Sequence, residues 1–267
     1  MSADPVIAEM HELEDIRNLV RLFGVVWERP DEPPNGSDTL MALAHSGNYV
    51  VGAREGGRLV GGLVGWLGGV PPGELHLHSH ILGVVADVQV RGLGFALKQH
   101  QRRWCLDRGI KVVEWTFDPL VRRNAHFNLT KLGAEARHYL VNFYGKMIDG
   151  LNAGEESDRL LIRWRLDSPQ VEAAATGNAP EPAVEQLLRD GAAVALSVGP
   201  SGEPIERSSS SNVLLCQVPE DIVAVRRADA GLAHSWRLAL RRALSEAFDG
   251  GYGVTGATRG GWYVLVK

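Results

Sequence analysis

Apolar residues recur at Ile16, Leu19, Val20, Phe23 and Val26, a helical spacing that predicts a helix over Glu12 to Trp27 after a short strand at 5–10. The Pro-rich stretch from Arg29 to Asn35 stops it, and a second short helix is expected over Asp38 to Ala44. Two β-rich segments, Asn48 to Ala53 and Arg58 to Trp66, flank a Glu-Gly-Gly turn and predict a hairpin, with Glu74 to Val85 as a third strand. The period then changes. Gly94 to Arg108 reads as a helix closed by Gly109, and Lys111 to Phe117 as the strand that follows. A strand, helix, strand unit of this kind needs a right-handed crossover and puts two strands in parallel.

Further on, a helix is expected over Arg122 to Leu132, closed by Gly133, and a strand over Arg137 to Met147. Past Gly150 the texture alters: Leu160 to Leu166 reads as a strand, whereas Asp167 to Pro182 is rich in Ala, Pro and small polar residues and reads as a linker. Ala192 to Val198 and Val213 to Val218 are expected to form another hairpin. A helix over Ala228 to Phe248, whose Trp236, Arg237, Leu240, Arg241 and Leu244 give it an amphipathic face, precedes a final hairpin of Tyr252 to Ala257 and Trp262 to Val266. The expected division is a catalytic α+β domain at 1–150, a strand and linker at 151–182, and a smaller α+β extension at 183–267, with no internal repeat evident.

Composition narrows the function. With 28 basic and 32 acidic residues the net charge is −4, which argues against nucleic acid as the partner. The longest apolar run, Leu59 to Val70, is interrupted by five glycines and falls short of the roughly 20 apolar residues of a membrane span. The first residues show neither a basic nor an apolar leader region, so a cytoplasmic protein without membrane attachment is expected. Cys105 and Cys216 lie far apart and are expected to be buried rather than paired.

The chemistry is expected where the third strand runs through Gly83-Val84-Val85 into Gln89-Val90-Arg91-Gly92-Leu93-Gly94-Phe95 and a helix. Glycines at a helix start let backbone N–H groups converge on an anion that the helix dipole also favours, and Arg91 adds charge at the rim. The same glycines would also serve a plain turn. No Gly-Lys-Ser/Thr follows and the three-glycine dinucleotide pattern is absent.

Gln89-x-x-Gly92-x-Gly94 resembles the (Gln/Arg)-x-x-Gly-x-(Gly/Ala) signature of GNAT acyltransferases, which grips the pyrophosphate of acyl-coenzyme A. A second register, Arg91-x-x-Gly94-x-Ala96, also fits, but the first keeps the family's usual distance from the strand-end valine. Asn124 to Ala134 is similar to the family's helix ending in Lys-Leu-Gly-Phe, and the likeness covers residues 5 to about 147. The resemblance implies a GNAT fold, a mixed and mostly antiparallel sheet whose parallel pair splays at the coenzyme A cleft. It also implies acetyl-CoA or another short acyl-CoA as cosubstrate and direct transfer to an amine. The backbone N–H of Val84 or Val85 would then stabilise the oxyanion. Asn124 and Asn128 stand one helical turn apart and face the same way, which suits contact with coenzyme A or the acceptor, though Asn124 would equally serve to start the helix. A two-part bacterial subfamily with a C-terminal extension is also similar, which points to a small-molecule amine such as an amino acid as acceptor, with acetyl or succinyl as the acyl group. The extension would then cover the acceptor site or form a homodimer contact.

One departure stands out: the family's thiolate-protonating tyrosine falls on Leu129. Tyr139 and Tyr144 are the substitutes, or the thiolate leaves without an acid. For the base, His80 comes first, Glu114 second and a water relay third. His76, His78 and His80 alternate on one strand face, a spacing that three zinc ligands share, but no cysteine or carboxylate cluster accompanies them and no metal is expected. Asp158 and Arg159 are expected to pair with each other. Leu129 motivates the rival reading, a regulatory module that binds coenzyme A without turnover; a peptide acetyltransferase is the third.

Overall fold

The computed structural model describes residues 5–69, 72–86, 92–145 and 156–267. They divide into two compact units, one reaching to Trp115 and the other beginning at Thr116. The boundary lies inside the stretch that the sequence reads as a single domain from 1 to 150, and the second unit takes the larger part of the chain.

The first unit is built on β1 (Val6–Glu9), β2 (Tyr49–Glu55), β3 (Arg58–Gly68), β4 (His76–Val84) and β5 (Val112–Phe117), adjacent in that order. The first four are antiparallel neighbours and β5 runs parallel to β4. Helices α1 (Leu13–Val26) and α2 (Ser37–His45) pack a core of Ile16, Leu19, Phe23 and Leu40 against Val50, Val64 and Ile81. Gly62 makes this possible: a Cβ there would collide with Leu19, so the glycine lets α1 lie close on β3. Helix α3 (Leu93–Leu106) provides the crossover between β4 and β5 and buries Leu93, Leu97, Trp104 and Cys105.

In the second unit α4 (Arg122–Ala125) continues as a π-helical turn, His126–Lys131, and leads into the antiparallel pair β6 (Glu135–Leu140) and β7 (Arg159–Arg165). The strand predicted over 137–147 thus starts earlier and ends at Leu140. The predicted linker holds α5 (Pro169–Ala175), capped by Ser168 and burying Val171 and Ala174, and α6 (Val184–Arg189) follows it. Strand β8 (Ala193–Val198) forms its hairpin with β9 (Pro204–Glu206), while β10 (Val213–Gln217) lies parallel to β8; the expected hairpin of β8 with β10 is therefore incorrect. The short α7 (Ile222–Ala228) precedes α8 (Ala230–Asp249) and the antiparallel pair β11 (Gly253–Ala257) and β12 (Trp262–Val266). A helix running into an antiparallel hairpin thus occurs twice, and the leading strands β6 and β11 are antiparallel neighbours at Ala136 and Val254. This repeat of topology has no counterpart in the sequence.

Buried charge organises the second unit. Asp118 accepts two hydrogen bonds from Arg237 of α8, at 2.7 and 2.9 Å, one from Arg226 of α7 at 2.9 Å and one from the N–H of Leu120 at 3.0 Å. Burial would raise the Asp118 carboxyl, but Arg237 and Arg226 outweigh it and hold the group well below the usual carboxylate range. One helical turn on, Arg241 holds Asp158 at 2.9 Å, together with the Tyr139 hydroxyl at 2.8 Å and the Asn142 N–H at 2.9 Å. The side chain of Asp158 is therefore taken by Arg241, not by Arg159 as the sequence suggested.

Replacing Asp118 with Ala leaves two buried guanidinium groups without their carboxylate and should cost about 3–5 kcal/mol, against about 1 kcal/mol or less for breaking the exposed Arg242–Glu206 pair. Chemical denaturation midpoints of the two variants check this. Truncation after residue 150 removes Arg226, Arg237 and Arg241 together and should leave residues 116–145 unfolded, which amide exchange would read directly.

Candidate functional site

Of the nine residues of β4, two pair with β5: Leu77 with Val113 and His78 with Glu114. Beyond that point the strands part. On its other edge β4 stays paired with β3 up to Val84, interrupted by a bulge in which Val64 faces Ile81 and Gly65 faces Ser79, leaving His80 as the extra residue. Past the bulge the N–H of Val85 donates to Val60 O at 3.1 Å. Antiparallel ladders alternate the side to which successive N–H groups point, so the N–H of Val84 points away from β3, towards the edge that β5 has left. Of the two oxyanion donors expected from the sequence, Val85 is therefore already used and Val84 remains.

One row of side chains crosses the three strands on the same sheet face: Trp66 of β3 opposite His78 of β4, and His78 beside Glu114 of β5. The Trp66 ring lies 5.0 Å from His78 and 4.5 Å from His80, centroid to centroid, and His76 Nε2 is 3.6 Å from Glu114 Oε2. As alternate residues of β4, His78 and His80 both reach the indole. Burial lowers the pKa of His78 to about 4, helped by His80, His76 and Lys98, and the cover that Trp66 gives an otherwise exposed His80 lowers that ring too. At neutral pH both imidazoles are uncharged bases. Among the described residues no group of three His, Cys, Asp or Glu side chains is arranged to hold a metal ion.

Gly92 caps the start of α3 with φ of 93°, a left-handed backbone that favours glycine. Gly94, in the first turn, has among the described residues only Leu82 at 3.8 Å from where a Cβ would stand, so packing against them does not require a glycine there. Two glycines facing open space at a helix start fit the approach of a pyrophosphate. The Leu93 side chain is buried in the core, leaving its backbone for a ligand, and Phe95 is half-buried. Gln89, Val90 and Arg91 lie outside the described residues.

The structure thus gathers His76, His78, His80, Glu114 and Val84 in the first unit, whereas Tyr139, Tyr144, Asn124 and Asn128 belong to the second. Tyr139 donates its hydroxyl to Asp158, and burial followed by that carboxylate raises its pKa, so it is not a ready acid. Tyr144 lies in the turn after β6, 47% exposed, with its hydroxyl 3.3 Å from Thr116 Oγ1. Asn124 follows the helix start at Val121 and does not cap it; Asn128 is buried, as is Leu129. Sequence reading did not single out Lys98 of the third helix, which the structure buries. Cys105 and Cys216 are free and buried, as expected, and no helix among the described residues is long and apolar enough to cross a membrane.

The sequence matches the family model for the acetyltransferase (GNAT) family over residues 13–134. No curated protein matches. Solved structures to which the chain is similar include Arabidopsis thaliana Naa50 with a bisubstrate analogue, at 17% identity over 60% of this chain and 98% of that one, TM-score 0.48. The ribosomal-protein-S18-alanine N-acetyltransferase of Escherichia coli matches at 15% identity over 61% and 95%, TM-score 0.49. An aminoglycoside acetyltransferase from an uncultured soil metagenomic sample, in complex with sisomicin, matches at 24% identity over 43% and 78%, TM-score 0.39. Residues 13–134, from α1 to Ala134, thus match the GNAT acetyltransferase family model, and the chain carries an α+β fold with a mostly antiparallel sheet and a parallel pair.

Proposed function

We propose that the chain transfers an acetyl or succinyl group from coenzyme A to the amine of a small molecule, with an amino acid as the first acceptor to try. The observation that carries this is the edge of β4 beyond His78, where β5 has parted and the Val84 N–H is aimed outward from the β3 ladder. A thioester carbonyl accepting from that N–H gains stabilisation as its oxygen turns anionic, a contribution of about 3 kcal/mol for one such donor. Gly92 and Gly94, with the loop before them, would take the pyrophosphate.

Glu114, beside His76, receives the arriving ammonium, and His80 takes its proton. The amine nitrogen then attacks the thioester carbon, the C–S bond breaks with its electron pair leaving on the coenzyme A sulfur, and the remaining surplus proton on the new amide nitrogen is lost to water. With Leu129 buried where relatives carry tyrosine and Tyr139 committed to Asp158, the thiolate departs without a protein acid. The second reading, a coenzyme-A-binding module without turnover, is favoured by the same Leu129.

Two measurements test the proposal. Saturating acetyl-CoA at 100 times its Kd should stabilise the protein by about 2.7 kcal/mol, seen as a raised melting midpoint. Gly92→Glu, which places a side chain and a negative charge on the left-handed position, should abolish the shift; equal shifts in both proteins would remove the glycine cradle from the site. In acceptor-dependent thiol release, kcat/KM should rise with pH only through a value below 6.5 and stay flat above it, because the neutral form of His80 accepts the proton. His80→Ala should lower it about a hundredfold and erase that limb. Coenzyme A binding with no thiol release for any amine would favour the regulatory module instead.

A further inference from the structure

Lys98 sits on the opposite face of the same fork. It projects from α3 with 3% of its surface exposed, donates to Ser79 Oγ of β4 at 2.8 Å and to Gln101 Oε1 at 3.1 Å, and places Nζ 3.6 Å from the centroid of the Trp115 ring of β5. Ser79 and Trp115 are each the residue just past the last parallel pair, His78 with Glu114. Ser79 is also the residue that the bulge at His80 adjoins. One side chain therefore touches both strands at the place where they part.

The contact is a costly one. The oxygens of Ser79 and Gln101 and the face of the Trp115 ring are neutral, and taking an ammonium out of water to meet them costs desolvation. Gln101 turns its carbonyl to Lys98 and leaves its buried Nε2 without a partner among the described residues. Burial lowers the lysine to about 7, with the Cys105 thiol on α3 opposing; His78 on β4 is the other titratable group that feels it.

We propose that Lys98 is a positioning residue for acyl transfer: by tying Ser79 to Trp115 it sets how far β4 and β5 part, and so the direction in which the Val84 N–H meets the thioester. This rests on the acyl-CoA reading of the first unit. It places no atom of Lys98 on the substrate; the lysine acts through the strands.

The test uses the full chain and acetyl-CoA labelled with carbon-13 at the carbonyl, whose resonance moves downfield when the oxygen is polarised. Wild type should show that displacement on binding. Lys98→Met should lose at least half of it while the Kd for free coenzyme A, held by the glycine cradle, changes less than twofold. Ser79→Ala, which keeps the lysine and removes its β4 partner, should lose a smaller part and serves if the first variant does not fold. An undiminished displacement in the folded variants overturns the proposal. Absence of acetyl-CoA binding in wild type overturns the acyl-CoA reading itself, a separate outcome. The melting midpoint supplies a further check. A lysine at about 7 in the folded chain and 10.5 when unfolded makes the unfolded chain bind more protons between those values, so wild type should gain stability relative to Lys98→Met as pH rises from 7 to 10. Parallel curves would show that Lys98 is not buried between the strands as the proposal has it.

Discussion

The site exists because a parallel ladder stops after two pairs. A strand's amide groups normally find partners on both edges, and an edge that loses its neighbour presents N–H groups to whatever enters. In β4 the loss is one-sided: β3 follows it to Val84, while β5 leaves at Glu114. Rigidity on one edge and opening on the other fix the outward N–H of Val84 without a loop having to hold it, which is the preorganisation that electrostatic catalysis needs. The bulge at His80 lies at the same place, and alternation along β4 sets a second imidazole beside Trp66 on the face where Trp66, His78 and Glu114 form their row.

A different force holds the second unit. Helix α8 carries Arg237 and Arg241 one turn apart on its buried side, each meeting a buried aspartate, Asp118 just after β5 and Asp158 just before β7. Buried ion pairs add little net stability over apolar packing, but removing one partner is expensive, so they define which segments must stay together. Asp118 lies within the family match and Arg237 lies about a hundred residues beyond its end. Residues 116–145 consequently depend on the C-terminal part of the chain, and the added length is an integral wall of that unit.

Much of this was legible locally. The three-strand meander, the crossover helix and the glycine turn before it are written in periodicity and punctuation, and the structure places β2 to β5 within two or three residues of the expected bounds. Partnership at a distance was not legible. The apolar runs of β8 and β10 look the same whether the strands form a hairpin or lie parallel with β9 inserted at the turn. The Ala-rich stretch 169–175 suits a linker by composition and a helix by propensity, and the burial of Val171 and Ala174 decides. The burial of Lys98 and the partner of Arg237 were not legible because Ser79, Trp115 and Asp118 are distant in sequence.

The two faces of the fork are electrically coupled. The lysine below lowers the imidazole of His78 above, so a proton on one disfavours a proton on the other. A row of neutral rings with one carboxylate at its end, Glu114, accommodates a cationic amine better than an anionic group. In the proposed reaction, the proton that His80 takes from the amine and the oxyanion that forms next are opposite charges near β4. The Val84 N–H would meet that oxyanion from the sheet edge, and a protonated Lys98 beneath the strands would attract it.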